Sequence, residues 1–187
     1  MELDYARTNV DALDEDFELD GFGIRGSVEL GESFYLFGGY QQGNEEIAGL
    51  DLDVDTTQVG FGWRHALSDA ADFNAELGWV HQNADLGENI SFPGTPCGCG
   101  GGGGGTFIPN ASAEADGYRA SIGLRGSLSE NFEGIVKANY TDGSDLEGEF
   151  SGTIGAQLKF ASIWGVTAEA EFGDGYNTFL LGLRASF

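Results

Sequence analysis

The chain has 187 residues, with 31 Asp and Glu against eight Lys and Arg and a formal net charge of −23. That length holds one domain or one small barrel, and the charge argues against nucleic-acid binding, which needs a basic patch to meet phosphates. Gly is frequent and Pro rare, and no apolar run approaches the ~20 residues of a spanning helix, so this chain could cross a membrane only as a closed sheet with every backbone group paired.

Apolar residues recur with period two almost throughout. The alternation predicts strands near 2–10, 19–30, 34–43, 55–67, 73–83, 116–128, 132–142, 148–160, 164–173 and 177–187. In the first of these Leu3 and Tyr5 alternate, but Arg7 breaks the pattern. Ten is an even number, which lets an up-and-down antiparallel sheet close on itself; eight strands is the alternative.

Connections alternate between short and long. Gly31-Glu-Ser33, Ser129-Glu-Asn131 and Ala161-Ser-Ile163 are three-residue links, and Ser68 to Asp72 is slightly longer. Longer acidic links are expected at Asp11 to Glu18, Asn44 to Asp53, Leu86 to Asp116 and Asp142 to Glu147, with a shorter one at Gly173 to Asn177. Leu30–Phe34, Leu128–Phe132 and Phe160–Trp164 flank three of the short turns at one spacing, so the unit that repeats is a hairpin. Residues 93–108 contain a Gly run that cannot hold a packed shape against its backbone entropy. They are expected to be a flexible insert in the longest loop. Cys97 and Cys99 lie within it; their C-x-C spacing is a weak metal signal with no His or further Cys beside it.

The two faces of each strand differ. Tyr118, Ala120, Ile122, Leu124 and Leu128 oppose Arg119, Ser121, Gly123, Arg125 and Ser127; Phe22, Ile24 and Val28 oppose Arg25, Ser27 and Glu29. A soluble barrel would turn the apolar face inward. Three features favour the inverse. Aromatics cluster at both strand ends: Phe34, Phe73, Phe132 and Trp164 after the short turns, and Tyr40, Trp79, Tyr140 and Phe172 six to eight residues on. Those levels would lie roughly 15–20 Å apart, which suits two girdles around an apolar band. The polar face is rich in Gly, Ser and Thr, and seven of the eight cations lie on it, Arg7 being unassigned.

Arg25, Arg64, Arg125, Lys159 and Arg184 fall late on strands that descend to the short turns, and Glu76, Glu133 and Glu169 fall on the same face of ascending strands. These eight form a candidate interior ion-pair network. Arg suits such a place because its planar fork bridges carboxylates, and an unpaired buried charge would cost several kcal/mol. A path conducting protons or ions is the other reading of the same residues.

The last nine residues, Phe179-Leu-Leu-Gly-Leu-Arg-Ala-Ser-Phe187, alternate to an aromatic carboxy-terminus. With Gly21-Phe-Gly-Ile-Arg-Gly-Ser-Val28 and Gly117 to Leu128, they make the chain resemble the small porin-like barrels of Gram-negative outer membranes, of the OmpA/OmpX style. The resemblance covers nearly everything outside the Gly-rich insert. It implies a closed antiparallel transmembrane β-barrel in the outer membrane, with short periplasmic turns and longer acidic extracellular loops. It also implies contact with outer-membrane lipid and lipopolysaccharide, and recognition of Phe187 by the outer-membrane assembly machinery. Met1 to Asn9 has neither a basic start nor an apolar core, so an exported form is expected to be a mature or truncated chain.

Little in the chain suggests a reaction. His65 and His81 fall on the lipid-facing parity, whereas a barrel protease needs His and carboxylates converging on its cleft. A lipid-modifying site would need a Ser beside His81 from a neighbouring strand. Asp51, Asp53 and Asp55 alternate without the Gly and distal Glu of a calcium loop, and are expected to be an acidic rim. No cofactor, metal or catalytic residue is assigned. The expected function is that of a structural or surface-interaction barrel with a side-chain-filled lumen; a narrow channel for ions or small solutes is the alternative.

Overall fold

A computed structural model describes residues 1–12, 15–47, 50–87, 111–144 and 148–186. The Gly-rich insert with Cys97 and Cys99, the terminal Phe187, Asp14 and Asp145 lie outside the described residues. Ten strands follow in chain order: β1 (Glu2–Ala12), β2 (Glu15–Glu29), β3 (Phe34–Ile47), β4 (Leu50–Ser68), β5 (Ala71–Gly87), β6 (Ala111–Ser129), β7 (Phe132–Gly143), β8 (Glu149–Lys159), β9 (Trp164–Phe172) and β10 (Tyr176–Ala185). Each pairs antiparallel with its neighbours in sequence, and β1 pairs with β10, so the sheet closes. At the seam Glu2 lies opposite Arg184 and Val10 opposite Tyr176. The Met1 ammonium donates to the Ala185 carbonyl at 2.8 Å and the Ala185 N–H returns a bond to Met1 at 2.7 Å. Closure leaves no unpaired edge around the ring, which is the condition for placing a sheet in lipid.

Side-chain burial settles which face is inside. Trp63, Leu124 and Ile154 are 37%, 53% and 58% exposed, whereas Glu2, Asp4, Asn74, Ser121, Asn139, Thr153, Gln157 and Thr167 are buried. The interior is polar and the apolar face points outward, so the barrel is inverted relative to a soluble one. Outward aromatics contact one another at both ends. Phe34 stacks on Phe61 and Trp63 meets Phe73 edge-on near the turns; Tyr5–Phe22, Tyr140–Phe150 and Phe172–Phe179 pair at the other end.

The turn end matches the sequence boundaries because tight turns force them. Strands β3, β7 and β9 begin on the aromatics Phe34, Phe132 and Trp164. Gly31 adopts a φ of 123°, which any other residue resists, and the Leu30 N–H reaches the Phe34 carbonyl at 2.8 Å. Among the described residues, irregularities of register occur only beside such turns, at Ala66/Ser68 and Ser127/Ser129.

At the loop end the strands run further than expected. β2 begins at Glu15, β3 reaches Ile47, β4 begins at Leu50, β5 reaches Gly87 and β6 begins at Ala111. Much of the sequence read as acidic links at Asp11 to Glu18, Asn44 to Asp53 and Leu86 to Asp116 is therefore paired strand. Antiparallel pairing continues past the apolar band as an unbroken ladder, for example from Phe34↔Trp63 to Ile47↔Leu50.

Candidate functional site in the barrel interior

The inward positions follow from the register. Glu2 and Asp4 lie opposite Arg25 and Gly23 on one side and Arg184 and Gly182 on the other. Arg25 is the centre of the first cluster. Its guanidinium donates to Glu169 at 2.8 Å, to Glu2 at 2.8 Å and to Asp4 at 3.0 Å. The hydroxyl of Thr167 adds a bond to Glu2 at 2.5 Å. Three carboxylates thus share one cation, which the fork of Arg can serve and the single nitrogen of Lys could not in the same plane.

The second cluster lies on the opposite wall. Glu133 of β7 accepts from Arg125 of β6 and from Lys159 of β8. In the third, Lys137 donates to Glu76 at 2.8 Å, and the hydroxyl of Tyr35 reaches the other oxygen of Glu76 at 2.7 Å. A fourth, nearer the loop end, joins Arg119 to Glu171 at 2.5 Å, with Ser151 and Tyr176 donating to the same carboxylate at 2.6 and 2.9 Å. Several of these contacts link strands that are not neighbours in the sheet: β2 to β9, β3 and β7 to β5, and β6 to β9. They are chords across the interior rather than cross-strand pairs along its wall.

Of the eight residues singled out from the sequence, Arg25 and Glu169 meet, and Glu133 joins Arg125 and Lys159. Glu76 pairs with Lys137 instead of any of the five cations. Arg64 meets Glu29 at 3.1 Å in an exposed contact at the turn end. Arg184 points inward beside Glu2 in the register and forms no salt bridge with a described residue. Glu2, Asp4, Lys137, Arg119 and Glu171 complete the clusters. Their signal in the sequence is parity: each lies on the same face of the sheet as those eight.

Arg7 faces outward, level with Phe179. It contacts Asp20 at 2.9 Å and Glu18 at 3.1 Å, at the loop-end rim. Here outward tyrosines cap outward aspartates. Tyr5 donates to Asp20 at 2.5 Å, Tyr40 to Asp55 at 2.7 Å, and Tyr118 and Tyr140 both to Asp142 at 3.0 Å. The hydroxyls hold Asp142 below its ordinary carboxylate pKa, and Tyr5 followed by Arg7 does the same for Asp20.

The histidines also face outward. His65 stacks on Trp63 and His81 on Trp79, at 5.6 and 5.5 Å between ring centres. The Nδ1 of His81 lies 2.9 Å from Asp116. Among the described residues, no three His, Cys, Asp or Glu side chains are grouped to hold a metal ion.

No family model and no curated protein sequence matches this chain. Its fold does match solved structures. The NanC porin superposes with a TM-score of 0.55 at 5% identity, over 100% of this chain and 99% of that one. The translocator domain of the autotransporter NalP from Neisseria meningitidis gives 0.52 at 10% identity, over 100% and 86%. Ail, the attachment invasion locus protein of Yersinia pestis, gives 0.50 at 16% identity, over 100% and 95%. The chain has the outer-membrane β-barrel fold. At such identities the likeness concerns architecture alone, and the three neighbours, a porin, a translocator domain and an attachment protein, share it with different named roles. In this transmembrane barrel that architecture carries the interior chords and outward acids described above.

Proposed function

We propose that this chain is a structural or surface-interaction barrel of a Gram-negative outer membrane, with a lumen closed toward the periplasm by its ion-pair clusters. The observation that carries the reading is the chord from Arg25 to Glu169, with Glu2 and Asp4 gathered on the same guanidinium. Charged side chains tied across a narrow interior occupy the space through which a solute would pass. The Glu76 cluster bridges β5 to β3 and β7 in the same way, and the Glu133 cluster adds charged side chains along the facing wall from β6 to β8.

The acids set the partner chemistry. Outward Asp20, Asp55, Asp116 and Asp142 ring the loop end, and the net charge is −23. This surface repels polyanions and draws basic partners and cations within a Debye length of ~8 Å at physiological salt. Ail was solved in complex with the heparin analogue sucrose octasulfate, a polyanion; the charge here suits a ligand of the opposite sign. Between the aromatic belts the barrel meets lipid, and its acids face lipopolysaccharide at the rim. No reaction is assigned to it.

Single-channel recording on the purified, refolded barrel tests the reading. No discrete conductance is expected. Steady openings that carry small ions would replace it with the channel reading, for which the polar inner wall and Arg184, which no described acid bridges, would then supply the lining.

A further inference from the structure

Past the loop-end aromatics the sheet reverses its sidedness. The β3–β6 register places Gly43, Val54, Ala84 and Ala113 in one inward row, and Glu45, Leu52 and Leu86 in the next. The rows between them face outward and carry Asp53, Asp85 and Ser112, then Asp55, Asn83 and Glu114. Within the apolar band the order is the opposite, with Val59 and Phe61 outward and Gln58 and Gly60 inward. No register shift separates the two regimes, so the change lies in the sequence: Leu52 and Val54 take the inward parity and Asp53 and Asp55 the outward one. A sheet with acids outside and aliphatics inside is built for water on its outer face, so this part of the wall stands clear of the bilayer. β9, on the other side of the ring, stops at the girdle residue Phe172 itself.

One polar side chain interrupts the aliphatic inner face. Glu45 lies opposite Leu52 on the inward parity of β3. At its neighbouring inward position, Gly43, an added Cβ would meet Leu19 of the adjoining strand β2 at 3.5 Å, so Leu19 extends the aliphatic wall on this side. The Oε2 atom of Glu45 is buried and has no hydrogen-bond partner. Among the described residues it is the side-chain atom for which this is true; the half-buried Glu45 pairs with Leu52 and makes no contact with the ion-pair clusters below. A buried acceptor left without a donor costs stability, and native proteins retain such groups where a ligand, ion or water supplies the donor.

From this we infer that the inner face of β3–β6 at the loop end binds a small amphiphilic cation, an ammonium group on a short hydrocarbon body. The ammonium donates to Glu45, and the hydrocarbon lies along Leu52, Val54, Ala84 and Leu86. Charge complementarity selects this class. An anionic amphiphile would place its head against a carboxylate in a chain of net charge −23, and a neutral one would leave the Glu45 oxygen without its strongest donor. The outward acids of the same strands raise the local concentration of cations at the mouth. This site is independent of whether the lumen below conducts.

The test uses the full chain, refolded in zwitterionic nanodiscs and labelled at Leu and Val methyl groups. The probes are hexylammonium and its uncharged counterpart 1-hexanol, both titrated by NMR. Saturable shifts are expected at Leu52, Val54 and Leu86 with hexylammonium, with hexanol about tenfold weaker, the loss of one charge-assisted hydrogen bond. Glu45→Gln keeps the shape of the side chain and should remove that tenfold preference. Leu86→Gln should weaken both probes alike. If wild type and Glu45→Gln titrate identically, or if only outward methyls such as Leu77 and Leu124 respond, hexylammonium merely enters the bilayer and the site does not exist. An absence of any shift at Leu52, Val54 and Leu86 overturns it equally.

Discussion

Arg25 and Glu169 meet at 2.8 Å although β1 and β10 lie between their strands. The same guanidinium holds Glu2 at 2.8 Å and Asp4 at 3.0 Å, both carboxylates nearly withdrawn from solvent. Without the cation, three carboxylates would face one another in a confined space. Arg25→Met is therefore expected to lower stability by about 3 kcal/mol, the scale for stripping one partner from a buried ionic cluster. Arg64→Met makes the comparison, because its partner Glu29 is 67% exposed; it should cost less than ~1 kcal/mol. Urea unfolding of both variants in lipid gives the two numbers. Equal losses would remove the distinction between an interior cluster and a surface pair.

A close approach inside the barrel gives the second prediction. A Cβ built on Gly62 would lie 2.2 Å from the ring of Tyr35, whose hydroxyl donates to Glu76 at 2.7 Å. Gly62→Val should push the ring aside, break that bond and cost about 1–3 kcal/mol through overpacking. At Gly26 an added Cβ meets nothing within 4 Å, and Gly26→Ala should stay within about 0.5 kcal/mol. If Gly62→Val is equally silent, Tyr35 does not rest on that glycine.

Selectivity tests the interior clusters more sharply than closure alone. Glu133 accepts from both Arg125 and Lys159, and Glu169 from Arg25. Replacing both acids by Ala leaves those cations without these partners and shortens two side chains. The double variant should conduct, and should favour anions, because rings of Arg and Lys select them. Reversal potentials in a salt gradient read the sign directly. A cation-selective pore, or no change from wild type, would show that these residues do not line the path.

The alternation of apolar and polar residues was legible because each strand meets two different solvents, lipid outside and a polar interior inside. That contrast pointed to ten strands, with eight as the alternative, and it gave the sidedness of Trp63, Leu124 and Ile154 and the turn-end boundaries at Phe34, Phe132 and Trp164. It misplaced the loop-end boundaries because the rule reverses there: Asp51 and Asp53 fall in the expected link from Asn44 to Asp53, yet with Asp55 they lie on the outer face of β4, the acidic rim expected of the three. The interior site was half legible. Parity put Arg25, Arg125, Lys159, Glu133 and Glu169 on one face, but partners are chosen by the stagger of the strands around the ring. Nothing local to Glu76 points to Lys137, 61 positions away. Glu2 and Asp4 do not stand out in the sequence because Arg7 blurs the first strand, and the structure turns Arg7 outward to Asp20 and Glu18.

The outward rim should respond to acid in a defined direction. Tyr118 and Tyr140 both donate to Asp142 at 3.0 Å, and these bonds, with a smaller one from the Gly143 N–H, favour the ionised carboxylate. Its pKa in the folded barrel therefore lies below the ordinary 3.8. A depressed folded pKa means that the contact contributes in full above the unfolded value and is lost as pH falls through the lower folded one. The contact should thus be intact at neutral pH and through mild acidification, and titrate out only at pH values below the ordinary carboxylate midpoint. A carboxyl-carbon NMR titration of the refolded barrel reads the midpoint of Asp142 directly. In Tyr118→Phe/Tyr140→Phe both hydroxyl donors are gone while the rings remain in the aromatic belt, so the midpoint should rise toward 3.8. A midpoint already at the ordinary value in wild type, or one unmoved by the double substitution, would mean that the tyrosine hydroxyls do not hold the aspartate in solution.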